Sequence, residues 1–195
     1  SERRMTPRQR WAQIPVELRR RPQWCYTYPG DSNPKYRKAP RKKGNALASD
    51  TSPSDWMSFE QACAYAEQVN GDIGYILTED DPFTCIDLDV KDAITHPGKP
   101  EEWTTQADFD RYWRICQAFN SYTEASQSGK GLHVWLLGNI GPGCKRDGVE
   151  VYSQERFIIC TGNTVINKPV EDRQSLLDAM VGDIRAAQAA RHAKI

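Results

Sequence analysis

The sequence contains no apolar run approaching the roughly 20 residues of a membrane-crossing helix, so a spanning helix is not expected. Its N-terminal SERRMTPRQRW lacks the apolar stretch of a secretory leader. The six cysteines form no C-x-x-C pair, and no Cys/His cluster has zinc spacing. A chain of 195 residues with a core of its own has little need of disulfides, so a reducing, cytoplasmic setting is expected. Also missing are a G-x-x-x-x-G-K-[ST] phosphate loop, an internal repeat and any low-complexity segment. What is present is enough to fold: 38% hydrophobic residues and six tryptophans exclude wholesale disorder.

Net charge is zero, yet it is unevenly spread. Residues 1–43 carry 13 Lys/Arg against three acids, and residues 44–195 carry 13 against 23, balances of +10 and −10. This pattern suits a polyanion surface beside a carboxylate-rich site, and equally a solvated basic tail. Lys35, Arg37, Lys38, Arg41, Lys42 and Lys43 crowd into nine residues of a turn-rich stretch.

Local patterns predict a modest set of elements. PQWCYTYP reads as a short aromatic strand, and Ser58-Phe-Glu-Gln61 is a capping box opening a helix that Asn70-Gly71 stops. Strands are predicted at Ile73–Thr78, Phe83–Val90, Leu132–Leu137, Val149–Ser153 and Arg156–Cys160. The last two, separated by Gln154-Glu155, read as a tight hairpin. A helix is predicted near 105–120, with Phe109, Tyr112, Trp113, Cys116 and Phe119 as core. A final helix over about 171–192 has Leu176, Leu177, Met180 and Ile184 as its buried stripe, and a longer chain is expected to continue beyond it. With too few helices for parallel crossovers, a mainly antiparallel α+β fold is expected.

Three segments carry chemistry. In Ile86-Asp87-Leu88-Asp89, alternation sends the apolar pair to the core and both aspartates to the other face, their Cα atoms about 7 Å apart. A hard divalent cation would relieve their repulsion; a solvated edge strand is the plain alternative. Ser126-Gln-Ser-Gly-Lys-Gly-Leu-His133 offers flexible backbone N–H groups and a lysine to an anion, or is simply a glycine turn. In Gly148-Val-Glu150-Val-Tyr152, Glu150 is placed to join the aspartates, with Arg156 nearby to meet a phosphate; as a plain alternative the two are a surface ion pair.

In order, the motifs are D-x-D, then S-G-x-G-x-H, then a strand acid followed by R-F-I-I-x-T-G. As a set they resemble the catalytic domain of the archaeo-eukaryotic primase superfamily. They are closer still to the primase–polymerase (prim-pol) domains of phages and plasmids, which often precede a helicase. The resemblance covers roughly residues 22–165. It implies an RRM-like, mainly antiparallel catalytic sheet packed with a smaller basic N-terminal α/β module. Residues 1–72, 73–168 and 169–195 would be the basic module, the catalytic module and a C-terminal helix leading onward. It further implies template-dependent nucleotide transfer to a primer on single-stranded DNA with two Mg²⁺ or Mn²⁺ ions. Asp87, Asp89 and Glu150 would be catalytic metal ligands. Ser128, Lys130, His133 and Arg156 would hold the nucleoside triphosphate, and the Lys38-Ala39-Pro40 stretch with Arg41, Lys42 and Lys43 would contact nucleic acid. No zinc insertion or additional helical domain is evident, so extension of a primer is implied more directly than initiation.

Two rivals remain. A non-enzymatic RRM is loosely echoed by Lys130-Gly-Leu-His-Val-Trp135, although Leu132 and His133 give a poor stacking platform. Trp24, Tyr26 and Tyr36 are candidates for stacking bases, and the first two equally for core. A phosphohydrolase with an aspartate nucleophile would need a parallel sheet that this strand order does not supply.

Overall fold

The computed structural model describes residues 4–194, so the ends of the expected 1–72 and 169–195 segments lie outside the described residues. Helices α1 (Pro7–Trp11) and α2 (Val16–Arg19) lead into strand β1 (Trp24–Tyr26). After the basic, turn-rich stretch come α3 (Phe59–Val69), β2 (Ile73–Leu77), β3 (Phe83–Leu88), α4 (Gln106–Phe119), β4 (Thr123–Ala125) and β5 (Leu132–Leu137). The chain continues through β6 (Cys144–Arg146), β7 (Val149–Tyr152), β8 (Arg156–Cys160), β9 (Thr164–Ile166), β10 (Glu171–Asp172) and α5 (Gln174–Ala193). Capping boxes at Thr6, Ser58 and Thr105 start α1, α3 and α4, while left-handed Asn70 and Asn120 end α3 and α4.

The strands form two sheets. The smaller runs β1-β2-β8; the larger runs β6-β7-β3-β5-β4-β9, with β10 on the far half of β5. Every pairing is antiparallel except β10 with β5. The fold is therefore α+β and mainly antiparallel, as the patterning predicts.

Period-two alternation divides the large sheet between two cores. Ile86, Leu88, Val134, Leu136, Val149 and Val151 pack with Tyr112, Cys116 and Phe119 of α4 and Leu177, Val181 and Ile184 of α5. Phe83, Cys85 and Trp135 of the large sheet join Tyr75, Leu77 and Ile158 of the small sheet and Phe59, Cys63 and Ala66 of α3 in the other core. Tyr75 bridges the sheets edge-on, its ring 5.8 Å from both Phe83 and Trp135. All six cysteines are buried and unpaired.

Three local expectations are corrected. β7 and β8 are not a hairpin: β7 pairs with β3 and β8 with β2, in different sheets. The chain changes sheet at Ser153, whose buried hydroxyl bonds the Thr84 hydroxyl (2.7 Å) and accepts the Ile140 N–H (3.0 Å), and Glu155 turns it with φ of 50°. Phe109 and Trp113 are 40% and 44% exposed, because α4 meets the sheet through a narrow Tyr112–Cys116–Phe119 stripe. Leu176 is likewise exposed, and Val181 takes a buried place on α5.

Candidate active site

The helix-covered face of the large sheet is apolar, and the opposite face carries a polar row. Antiparallel register places Lys145 opposite Glu150, Glu150 opposite Asp87, Asp87 opposite His133 and His133 opposite Glu124. Directly opposed side chains share a face, so one line crosses β6, β7, β3, β5 and β4. Asp89 lies just past the end of β3, exposed, its N–H donating to the Gly148 carbonyl (2.9 Å).

Each member has a distinct environment. Burial, with the charges of Glu150 and Asp89, pushes the Asp87 carboxyl above its ordinary value, against the pull of His133 and Arg156. Glu150 is half-buried and accepts the Tyr152 hydroxyl (2.7 Å). His133 is buried; its Nε2 lies 3.6 Å from Asp87 Oδ1 and its Nδ1 lies 3.6 Å from Glu124 Oε2. Burial alone would favour the neutral imidazole, but the two carboxylates outweigh it and raise its pKa. At that separation the Glu124 contact is a charge approach, and Nδ1 has no hydrogen-bond partner among the described residues.

Glu124 is the residue that sequence reading misses. It is fully buried, and its carboxylate accepts the Tyr122 hydroxyl (2.9 Å) and the N–H groups of Thr161 (2.8 Å) and Gly162 (3.2 Å). Nothing local in Thr-Glu-Ala distinguishes it; only the β4–β5 register reveals it.

Asp87, Asp89 and His133 border a cavity of about 310 Å³, closed by Ser126, Ser128, Gly131, Arg156, Phe157 and Lys38. The hairpin from β4 to β5 forms one wall. Ser126 Oγ accepts the Gly131 N–H (3.0 Å), and a Cβ on Gly131 would stand 2.7 Å from the Leu88 carbonyl oxygen, so only glycine fits against β3 there. Arg156 lies over the Tyr152 ring at 4.4 Å and reaches the cavity from the small sheet.

Other anticipated residues are placed differently. Lys130 stands outside the cavity lining, its ammonium paired with Asp92. Arg41 is buried: its guanidinium bonds Asp31 (2.7 Å) and the carbonyls of Tyr36 (2.6 Å) and Asn45 (3.2 Å), so it organises the basic loop rather than facing a ligand. Lys42 approaches Asp55 at 3.9 Å, and Lys43 is exposed. Trp24 and Tyr26 are fully buried and cannot stack on a base; Tyr36 is 37% exposed.

The donor set fits a hard divalent cation, since it consists of carboxylate oxygens whose mutual repulsion a cation would relieve. Among the described residues no three acidic, histidine or cysteine side chains converge closely enough to hold a metal as they stand. Mg²⁺ is commonly held by one or two carboxylates together with substrate phosphates, so a closed protein cage is not a requirement of that chemistry.

The chain is thus an α+β domain with an acidic strand, a glycine hairpin and a strand histidine around one cavity. Among curated proteins, the chain is 35% identical over 126 residues to the DNA Primase-polymerase of Nitratiruptor phage NrS-1. The match takes in 59% of this chain and 16% of that protein's length. No protein-family model matches the chain.

Proposed function

We propose that this chain is the nucleotidyl-transfer module of a phage-type primase–polymerase, extending a primer along single-stranded DNA from nucleoside triphosphates. The observation that carries the reading is the cross-strand row Glu150–Asp87–His133, in which Asp87 and His133, with Asp89 beside them, line a cavity shared with small hydroxyls, glycine and two cationic side chains. In this reading Asp87 and Asp89, with Glu150 alongside, hold Mg²⁺ or Mn²⁺. The ions would supply charge neutralisation for the triphosphate and lower the pKa of the attacking hydroxyl. His133 and Arg156 offer N–H donors to phosphate oxygens, and Ser126 and Ser128 offer hydroxyls from the hairpin wall. Lys130 is released from Asp92 to meet the outer phosphates.

Lys38, Lys42 and Lys43 are proposed as template contacts, binding backbone phosphates with little sequence preference and strong salt dependence. Residues 1–72 would then serve the template, residues 73–168 the chemistry, and residues 169–195 a connection onward. Replication of a phage or plasmid, in the cytoplasm and with a fused or associated helicase, is the setting this module suits. Among the described residues no helix is long and apolar enough to cross a membrane. The burial of Trp24, Tyr26 and Trp135 speaks against an RRM whose work is base stacking, because the site face lacks its aromatic platform.

The test is incorporation of labelled nucleotide on a primed template with Mg²⁺ or Mn²⁺, run with dNTPs and rNTPs. Template-dependent extension is expected. Binding without incorporation would leave a binding module, and phosphate release without template would leave a hydrolase.

A further inference from the structure

A second cavity, of about 540 Å³, meets the first at Asp89 and is lined by Glu150 on its near side. Its far side carries the cations Lys91 after β3, Lys145 and Arg146 on β6, and Arg191 at the end of α5, together with His192 and one acid, Asp147. The sequence separates these residues by up to about a hundred positions, so no basic run announces them, and they lie within residues 44–195, the part of the chain that is net negative. Gln188 Nε2 donates to the Lys145 carbonyl (3.0 Å), fixing the end of α5 beside β6. Arg146 has one acidic neighbour, Asp147 at 3.2 Å; Lys145 is in no ion pair among the described residues.

Sheet order gives this groove a meaning. The first cavity lies on the β5 side of the aspartates and the second on the β7–β6 side. In-line phosphoryl transfer requires the nucleophile and the leaving group on opposite sides of the phosphorus. With the triphosphate among Ser128, His133 and Arg156, the attacking hydroxyl must arrive from the β7–β6 side.

We propose that the groove formed by Lys145, Arg146, Lys91 and the Arg191–His192 end of α5 holds the sugar–phosphate backbone of the primer strand next to its 3′ end. This rests on the polymerase reading, and it adds the strand's location and direction of approach. The contacts are to phosphates, so they position the strand without selecting its sequence.

The test is fluorescence anisotropy of the full chain with a labelled primer–template junction bearing a recessed 3′ end, and with a single strand of equal length, across a salt series. The variant is Lys145→Gln/Arg146→Gln/Arg191→Gln, whose three positions are all exposed, so the fold should survive. Expected is a roughly tenfold rise in the Kd for the junction, with the salt slope reduced by about two to three, near 0.9 for each phosphate that is no longer neutralised. Single-strand binding should change less. A junction Kd and slope equal to the parent's would overturn the proposal, as would an equal loss on both ligands or a parent that does not bind the junction. Extension is scored separately: a selective loss of junction binding, in a chain that never incorporates nucleotide, would uphold the groove and remove the polymerase reading.

Discussion

His133 stands between two carboxylates in unlike surroundings. Asp87 opens on the cavity, whereas Glu124 is sealed behind the ring and held by two backbone N–H groups and a tyrosine hydroxyl. Burying a carboxylate costs several kcal/mol unless it is hydrogen-bonded and faces compensating charge, and Glu124 has both. In the polymerase reading its charge, 3.6 Å from Nδ1, would hold His133 in place. Glu124→Gln should raise the nucleotide KM about tenfold, equivalent to roughly 1.4 kcal/mol, and add little further loss in a His133→Ala background. Steady-state extension kinetics on the single and double variants check this; additive losses would contradict it. A second residue-scale prediction concerns Asp92, which the Lys130 ammonium holds at about 2, below its ordinary 3.8. Because the folded value is the lower one, this pair favours the folded state above about pH 4, and the benefit fades as pH falls toward 2. NMR titration should place Asp92 near 2, and Lys130→Gln should return it toward the ordinary range.

Elements differ in how much of themselves they declare. β3 and β5 were legible because the alternation in Ile86-Asp87-Leu88-Asp89 and the short apolar run Leu132–Leu137 mark strands, although both strands are buried on both faces. Capping boxes did the same for α3 and α4. Pairing was not legible: the two-residue gap between β7 and β8 looks like a hairpin, but their partners are β3 and β2, chosen by the Ser153 anchor and the packing of two sheets. Nor was the fate of Arg41, since a basic run does not reveal which guanidinium the loop folds around. The β4–β5 hairpin offers a prediction of its own. Gly131→Ala would press a methyl against the Leu88 carbonyl, so the variant should lose about 1–3 kcal/mol in urea unfolding and weaken nucleotide binding together.

At the scale of the molecule, the large sheet separates two jobs. One face is given wholly to packing with α4 and α5; the other is divided between a core shared with the small sheet and the polar row. That division explains how Glu150, some sixty residues away in sequence, comes to stand beside the aspartate pair: the adjacent antiparallel strands β3 and β7 bring Asp87 and Glu150 into register, and the end of β3 supplies Asp89. The sequence alone shows each acid's face but not the shared row, which depends on strand order. It shows the N-terminal basic surplus, while the cations around the second cavity emerge only when α5 folds back on β6. The central claim is that this row performs metal-dependent nucleotide transfer. The most direct measurement is primed-template extension by Asp87→Ala/Asp89→Ala beside the parent, with circular dichroism and DNA binding recorded on both. Incorporation should vanish while fold and DNA binding persist; a double variant that still extends the primer would contradict the claim.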